Sequence, residues 1–370
     1  MFPLIERRFL VRFGFCSVLS LSNLIYAADF DANGWRLAQP GYHLEFPRDH
    51  GPHFDYRTEW WYLTGNLRSQ EGREFGYELT FFRHGYRPPN TRLPVKSRFV
   101  MDDIKFAHFT VTDITQKRFY ASQRISRGAY RDAGFLSGSK LAWISDWELD
   151  LDSGFQARAA NGQEAIQLNL QPEKPPVLEG RDGFSQKAAG DGHASYYYSI
   201  TRLRTRGELR VSGVSYQVTG LSWFDREWAT NQLAPDQAGW NWFALQLSDG
   251  TDLMLYQIRL KNGAIDRYSS GKLISSTGTA IDVDDFALMP ADYWTSARNQ
   301  ARYPIGWRLQ IPKFQIDLEI TTPVREQELN LAVTYWEGAI RVTGTHEGNS
   351  VQGVGYMELT GYGGVPNGKE

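Results

Sequence analysis

Hydrophobic and polar residues alternate with a period of two along much of the chain, as in Lys105–Asp113 and Tyr197–Leu203, and no segment carries a long apolar stripe at helical spacing. Such alternation turns one face of a strand toward a core and the other toward solvent or a second layer. Trp60-Trp61-Tyr62-Leu63 leads through a polar turn, Ser69 to Arg73, into Phe75-Gly76-Tyr77-Glu78-Leu79-Thr80-Phe81-Phe82-Arg83. Trp240-Asn241-Trp242-Phe243-Ala244-Leu245 leads in the same way through Ser248-Asp249-Gly250 into Leu253-Met254-Leu255-Tyr256-Gln257-Ile258-Arg259. Both read as aromatic-led β-hairpins with Glu-Gly or Asp-Gly at the turn. Two more runs recur in the same order. Gly207–Gly213 matches Gly338–Gly344, and Gly220-Leu221-Ser222-Trp223-Phe224-Asp225 matches Gly353-Val354-Gly355-Tyr356-Met357-Glu358. The shared order predicts two homologous β-domains that meet between Ala229 and Gly239, where Asn231, Pro235 and Asp236 break the strand pattern. Gln171–His193 and the Pro-rich, basic His84–Lys96 predict long surface loops.

A sheet of this many strands must protect its edges, and closure into a barrel does so while leaving an interior cavity. The expected fold is all-β: two tandem lipocalin-like antiparallel β-barrels from an internal duplication, over residues 29–233 and 234–370, with two packed sandwiches as the alternative. Thirty-five Gly and 16 Pro suit many short strands and turns. Twelve Trp, 19 Tyr and 21 Phe exceed the needs of one core and point to a cavity for a flat or apolar ligand. A formal net charge of −2 argues against a nucleic-acid partner, which calls for a basic face. Residues 1–28 follow a different pattern. Arg7, Arg8 and Arg12 precede the apolar run Phe13–Ile25, and Ala27 and Ala28 follow. That is the pattern of a cleaved signal peptide, and it predicts a periplasmic or secreted protein. The run is shorter than the roughly 20 residues a spanning helix needs, so an integral membrane protein is not expected. The single cysteine, Cys16, lies in this leader, so cleavage would leave no disulfide and no thiol chemistry.

The run Phe46-Pro47-Arg48-Asp49-His50-Gly51-Pro52-His53, with Thr58-Glu59-Trp60-Trp61-Tyr62-Leu63-Thr64-Gly65 after it, resembles the family of carotenoid 1,2-hydratases (hydroxyneurosporene synthases) and AttH-type secreted proteins. Ala107-His108-Phe109, Trp223-Phe224-Asp225-Arg226-Glu227-Trp228, Arg302–Trp307, Tyr335-Trp336-Glu337-Gly338 and Glu358–Tyr362 extend the resemblance over nearly all of the chain after the leader. The resemblance implies two lipocalin-like domains. It also implies either of two roles. Some members hydrate carotenoid double bonds, while AttH-type members are exported proteins, sometimes linked to ABC transport systems, and this chain looks closer to the latter.

In a strand, Trp223, Asp225 and Glu227 share one face and Phe224, Arg226 and Trp228 the other. Carboxyl groups turned into an aromatic cavity would hold their protons to higher pH, as protonation of an alkene by a neutral acid requires. The candidate catalytic residues are Asp225, Glu227 and Glu59, the last either facing Asp225 across the cavity or, structurally, accepting backbone donors at a strand start or pairing with Arg57. The structural alternative is an ion pair of Asp225 with Arg226 or Arg83. Trp60, Trp61, Tyr62, Tyr77, Phe81, His108 and Trp223 are the candidate ligand-binding residues, with simple core packing as their alternative. His50 and His53 have the residue types of a metal site, but the turn-forming Gly51-Pro52 between them favours a polar loop, and no metal or cofactor is expected. No Gly-x-Ser-x-Gly elbow, phosphate-binding loop, His-Glu-x-x-His or dinucleotide fingerprint occurs. The expected function is therefore an exported AttH-type carrier of an apolar lipid or isoprenoid, with ABC transporter components as candidate partners; the alternative is a hydratase-like enzyme that adds water to an isoprenoid C=C bond by acid catalysis.

Overall fold

Two antiparallel sheets hold nearly all of the chain between Thr58 and Leu359. The computed structural model describes residues 29–92 and 100–363. The expected signal peptide with Cys16, and part of the expected loop over residues 84–96, lie outside the described residues.

The first sheet contains β1 (Thr58–Ser69), β2 (Glu74–Gly85), β3 (Asp103–Asp113), β4 (Arg118–Ser126), β5 (Ala133–Phe135), β6 (Lys140–Ile144) and β7 (Trp147–Leu151). It continues with β8 (Phe155–Asn161), β9 (Glu164–Pro172), β10 (Val177–Leu178), β11 (Phe184–Gln186), β12 (Ala194–Val211) and β13 (Val214–Ala229). Its order is β4-β3-β2-β1-β13-β12-β9-β8-β7-β6-β5, and β4 curls round to lie against β6, so the sheet nearly closes. The second sheet contains β14 (Gln237–Leu247), β15 (Asp252–Leu260), β16 (Ser270–Ile274), β17 (Ala280–Val283) and β18 (Ala287–Thr295). Its remaining strands are β19 (Arg302–Ile311), β20 (Ile316–Thr321), β21 (Glu328–Asn330), β22 (Thr334–His346) and β23 (Asn349–Leu359). Its order, β17-β16-β15-β14-β23-β22-β20-β19-β18, repeats the first from β4 as far as β7, leaving β6 and β5 without counterparts. The duplication is thus a duplication of topology.

Register corrects one of the sequence pairings. Gly207 lies opposite Val218, and Gly344 lies opposite Val351, which makes Gly207 the counterpart of Gly344 rather than of Gly338. A side chain at either glycine would meet the neighbouring strand, with its Cβ 2.1 Å from the Gln167 carbonyl oxygen or 2.1 Å from that of Asp317. The similar spacing of glycines in both runs conceals this offset. The pairing of Gly220–Asp225 with Gly353–Glu358 holds in the same registers.

Each sheet wraps a packed interior. Trp61, Leu63, Phe75, Tyr77, Leu79 and Phe81 fill the first, while Phe243, Leu245, Trp307, Trp336 and Met357 fill the second. The barrel interiors are thus occupied by side chains, and the cavity expected there lies elsewhere. The outer faces of β1, β2, β12 and β13 meet those of β14, β15, β22 and β23, burying Tyr62, Tyr197, Trp223, Trp242, Tyr256 and Tyr356 in a third cluster. This contact is nearly symmetric on exchange of the halves. Asn66 donates to the Gly355 carbonyl at 3.0 Å, and its counterpart Gln246 donates to the Ser222 carbonyl at 3.0 Å. A one-sided ion cluster adds to it: Asp252 of the second sheet holds Lys174 Nζ and Arg202 Nη2 of the first, both at 2.6 Å.

Asp252 is fully buried, so removing its carboxylate strands two cations between the halves. Asp252→Ala is expected to lower unfolding free energy by about 3–5 kcal/mol in urea titration. A loss within the range of a surface substitution would show that the cluster does not hold the halves together.

Candidate active site

Strand alternation gives β13 two opposite environments. Phe224, Arg226 and Trp228 point into the first interior, while Trp223, Asp225 and Glu227 point toward the second sheet. There a cavity of about 280 Å³ opens between the two sheets. Trp60, Phe82, Phe106 and Trp240, all half-buried, stand on its outer walls with the exposed Val333. Tyr62, Tyr197, Asp225, Trp242 and Glu337 form its buried part. The duplication supplies the walls in pairs: Trp60 and Tyr62 from β1, and their counterparts Trp240 and Trp242 from β14.

Asp225 is 3% exposed and is held from three sides. Tyr197 Oη donates to Oδ2 at 2.6 Å, while Ser199 Oγ and the Trp223 indole N–H donate to Oδ1 at 2.6 Å each. Trp242 in turn donates its indole N–H to Tyr197 Oη at 3.1 Å. Those donors favour the carboxylate, but burial outweighs them and pushes Asp225 up to about 7. Glu227, two residues on, accepts from Gln232 Nε2 at 2.9 Å and lies 3.6 Å from the Lys187 ammonium. That ammonium also sits 4.0 Å above the ring of Tyr256.

Three more acids stand at the cavity or behind its wall. Glu358, the counterpart of Asp225 on β23, opens on the same cavity and is raised to about 8, by enclosure first and by the neighbouring carboxyl of Glu78 second. Glu337 lies opposite Glu358 in register, as Ser199 lies opposite Asp225. Its Oε1 accepts from Tyr62 Oη, its Oε2 has no partner, and burial together with Glu78 and Glu358 raises it. Glu78, behind the cavity wall, is raised to about 7 by burial. His108 lines the cavity, shares a proton position with Tyr335 Oη at 2.7 Å, and is pushed down to about 4 by burial, so it is neutral.

Several candidate residues stand elsewhere. Glu59 does not face Asp225. One residue out of phase with Trp60, it points into the first interior, where Arg83 and Arg226 both bind it and the His53 backbone N–H donates to Oε2 at 2.9 Å. The arginines proposed as partners for Asp225 are therefore both committed to Glu59, which they hold well below the carboxylate range against the cost of burial. Trp61, Tyr77 and Phe81 belong to the same interior and do not line the cavity, because they share the phase of Glu59. Trp223 touches the site through Asp225 and is not a wall residue. His50 accepts or donates at Tyr198 Oη over 2.6 Å, and His53 stacks on Trp228 while bonding Asp49 at 3.1 Å, so both serve the interior network. The stretch Gln171–His193 is no surface loop. Its short strands β10 and β11 pair with β12, and it buries Lys174, Glu179 and Lys187 between the halves.

The sequence matches the AttH-like family model over residues 37–362. The fold is similar to the crystal structure of NE1406, an AttH from Nitrosomonas europaea, with 34% identity, TM-score 0.78, and 88% of this chain and 98% of that one covered. Kievitone hydratase from Nectria haematococca is similar in fold at 14% identity and TM-score 0.67, over 90% of this chain and 98% of that one. CghA is similar at 12% identity and TM-score 0.56, over 92% and 98%. No curated protein matches the sequence. Among the described residues no helix is long and apolar enough to cross a membrane.

Enclosed acids give stability a definite pH dependence. In the unfolded chain the carboxyls titrate at their ordinary 3.8 or 4.5, whereas in the fold Asp225 and Glu78 keep protons to about 7 and Glu179 to about 8. The native state then binds more protons than the unfolded state, and stability falls as pH rises. His50, His84 and His108, held below their ordinary 6.5, act with the opposite sign but only under that value. Urea titrations across the window from pH 6.5 to 8 are therefore expected to show declining stability, by up to about 1.4 kcal/mol per pH unit for each proton retained. Asp225→Asn and Glu179→Gln should each make the decline shallower. A flat or rising profile in the unmodified protein would refute the protonated-acid description.

Proposed function

Because the chain belongs to the AttH-like family, we propose that it is an exported acid–base catalyst, a hydro-lyase that adds water across a C=C bond of an apolar, isoprenoid-type small molecule held between its halves. The observation that carries this reading is the position of Asp225, a carboxyl that keeps its proton to about 7 in a cavity walled by aromatic rings. A carrier of apolar ligands gains nothing from enclosing such acids, since burying them costs free energy that apolar side chains would not. The fold it shares with kievitone hydratase, a hydratase by name, is compatible with that chemistry as an analogy of fold.

In the proposed step, Asp225 gives its proton to the less substituted carbon of a trisubstituted alkene and becomes a carboxylate. The electron pair of the C=C bond forms the new C–H bond and leaves a tertiary cation on the neighbouring carbon. Ring faces of Trp60, Trp240 and Trp242 stabilise that cation. Water attacks it, forming the C–O bond, and loses a proton to Glu227, which stands 3.6 Å from the Lys187 ammonium. Passage of that proton back to Asp225 closes the cycle with one H and one OH added.

Asp225→Asn removes the proton donor while keeping the shape of the side chain. Incubated with an acyclic isoprenoid bearing a terminal trisubstituted alkene, the unmodified protein is expected to yield a product heavier by one water in mass spectrometry. The variant should be slower by about 10²–10⁴-fold with ligand binding retained. Equal turnover by the variant would exclude this mechanism. The aromatic walls favour a second reading, carriage of a lipid or isoprenoid, and unchanged substrate together with co-purified lipid in native mass spectrometry would select it.

A further inference from the structure

The cavity pairs two features that one chemical class of ligand satisfies at once. Its walls carry aromatic side chains from both halves, those of Trp60, Phe82, Phe106, Trp240, Trp242 and Tyr256. Among the described residues that line it stand four carboxyl groups, Asp225, Glu227, Glu337 and Glu358, against a single ammonium, that of Lys187. Lys187 is already paired with Glu227, and it demonstrates the preference of the rings by sitting 4.0 Å over Tyr256 and 5.2 Å from Tyr197. Among the described residues, the other three acids have no cationic partner. The most telling is Glu337, which is wholly buried at the cavity and whose Oε2 makes no hydrogen bond among the described residues. Aromatic faces attract cations through their quadrupole, and a buried carboxyl facing them adds a full charge when it ionises.

We propose that this cavity is a binding site for lipophilic organic cations, of the quaternary ammonium or tertiary amine class, with Glu337, Glu358 and Asp225 as counter-charges and the paired rings as a cage. The site shares its walls with the hydration reading above but does not depend on that chemistry. A bound cation favours ionised carboxyls, so binding releases protons from acids that the empty cavity keeps neutral. Glu358 at about 8 and Asp225 at about 7 place that release around and below neutrality, and it fades as pH passes about 8. The surrounding groups reinforce or leave unchanged this direction. Glu78 and Glu179 behind the walls are also raised, Lys187 is raised and stays charged, and His108 is pushed down and stays neutral.

The test compares benzyltrimethylammonium with its uncharged carbon isostere, neopentylbenzene, by quenching of tryptophan fluorescence and by calorimetry in two buffers of different ionisation enthalpy. The cation is expected to bind about tenfold more tightly than the isostere at about pH 8.5, and to gain about fivefold from pH 6 to 8.5 with proton release. The isostere should show no such gain. Glu337→Gln and Glu358→Gln should each weaken the cation several-fold and leave the isostere unaffected. Equal affinities for the two probes in the unmodified protein would overturn the proposal whatever the variants do. Unchanged cation affinity in both variants would overturn it as well. Cation binding without hydration of any isoprenoid would leave this inference standing and remove the hydratase reading. Hydration with no preference between the probes would do the reverse.

Discussion

Desolvation of carboxyl groups is the constraint on which the rest of this molecule depends. Between the two sheets, Glu78, Asp225, Glu337 and Glu358 are enclosed with donors that are neutral, namely tyrosine, serine, threonine or indole. In the first interior Glu59 is enclosed as deeply, but with two guanidinium groups on it. The same physics gives opposite outcomes: a carboxyl held as an anion inside the first barrel, and carboxyls held as acids between the sheets. Only the thickness of one strand separates the two populations, since Arg226 belongs to one and its neighbour Asp225 to the other.

The near-symmetry of the contact explains why the acids converge on one place. Equivalent strands meet in equivalent pairs, β2 against β22 and β15 against β12. Any residue near the axis that exchanges the halves therefore faces the region of its own counterpart. Trp60 and Trp240, Tyr62 and Trp242, and Asp225 and Glu358 all fall there. The interiors of the two halves, far from that axis, follow ordinary packing rules and are filled.

The all-β class, the duplication and the orientation of β13 were legible because period-two alternation and the order of the repeats are properties of the sequence itself. The position of the cavity was not. Barrels suggest internal cavities, and nothing in one strand tells whether its outward face meets water or another sheet. That ambiguity also misplaced Glu59, Trp61, Tyr77 and Phe81, which share a phase and go to the interior together. Glu358 and Trp242 were within reach: the repeat already set them against Asp225 and Tyr62, and the inference needed was that both copies face one space. Glu337 was harder, because Ser199 occupies its counterpart position. A one-residue bulge between Ile200 and Leu203 further blurs the register. The segment containing Lys187 was hidden by its turn-forming composition, which marks irregular backbone but not exposure.

Glu358 and Asp225 stand at matching places yet are held differently, the first beside Trp240 and the second by a serine, a tyrosine and an indole. An assembly of two identical subunits would be obliged to repeat every feature on both sides of its axis, so that any specialised group appeared twice. Linking both copies in one polypeptide lifts that obligation. Each wall can then be tuned on its own, and a ligand inside has a distinguishable head and tail.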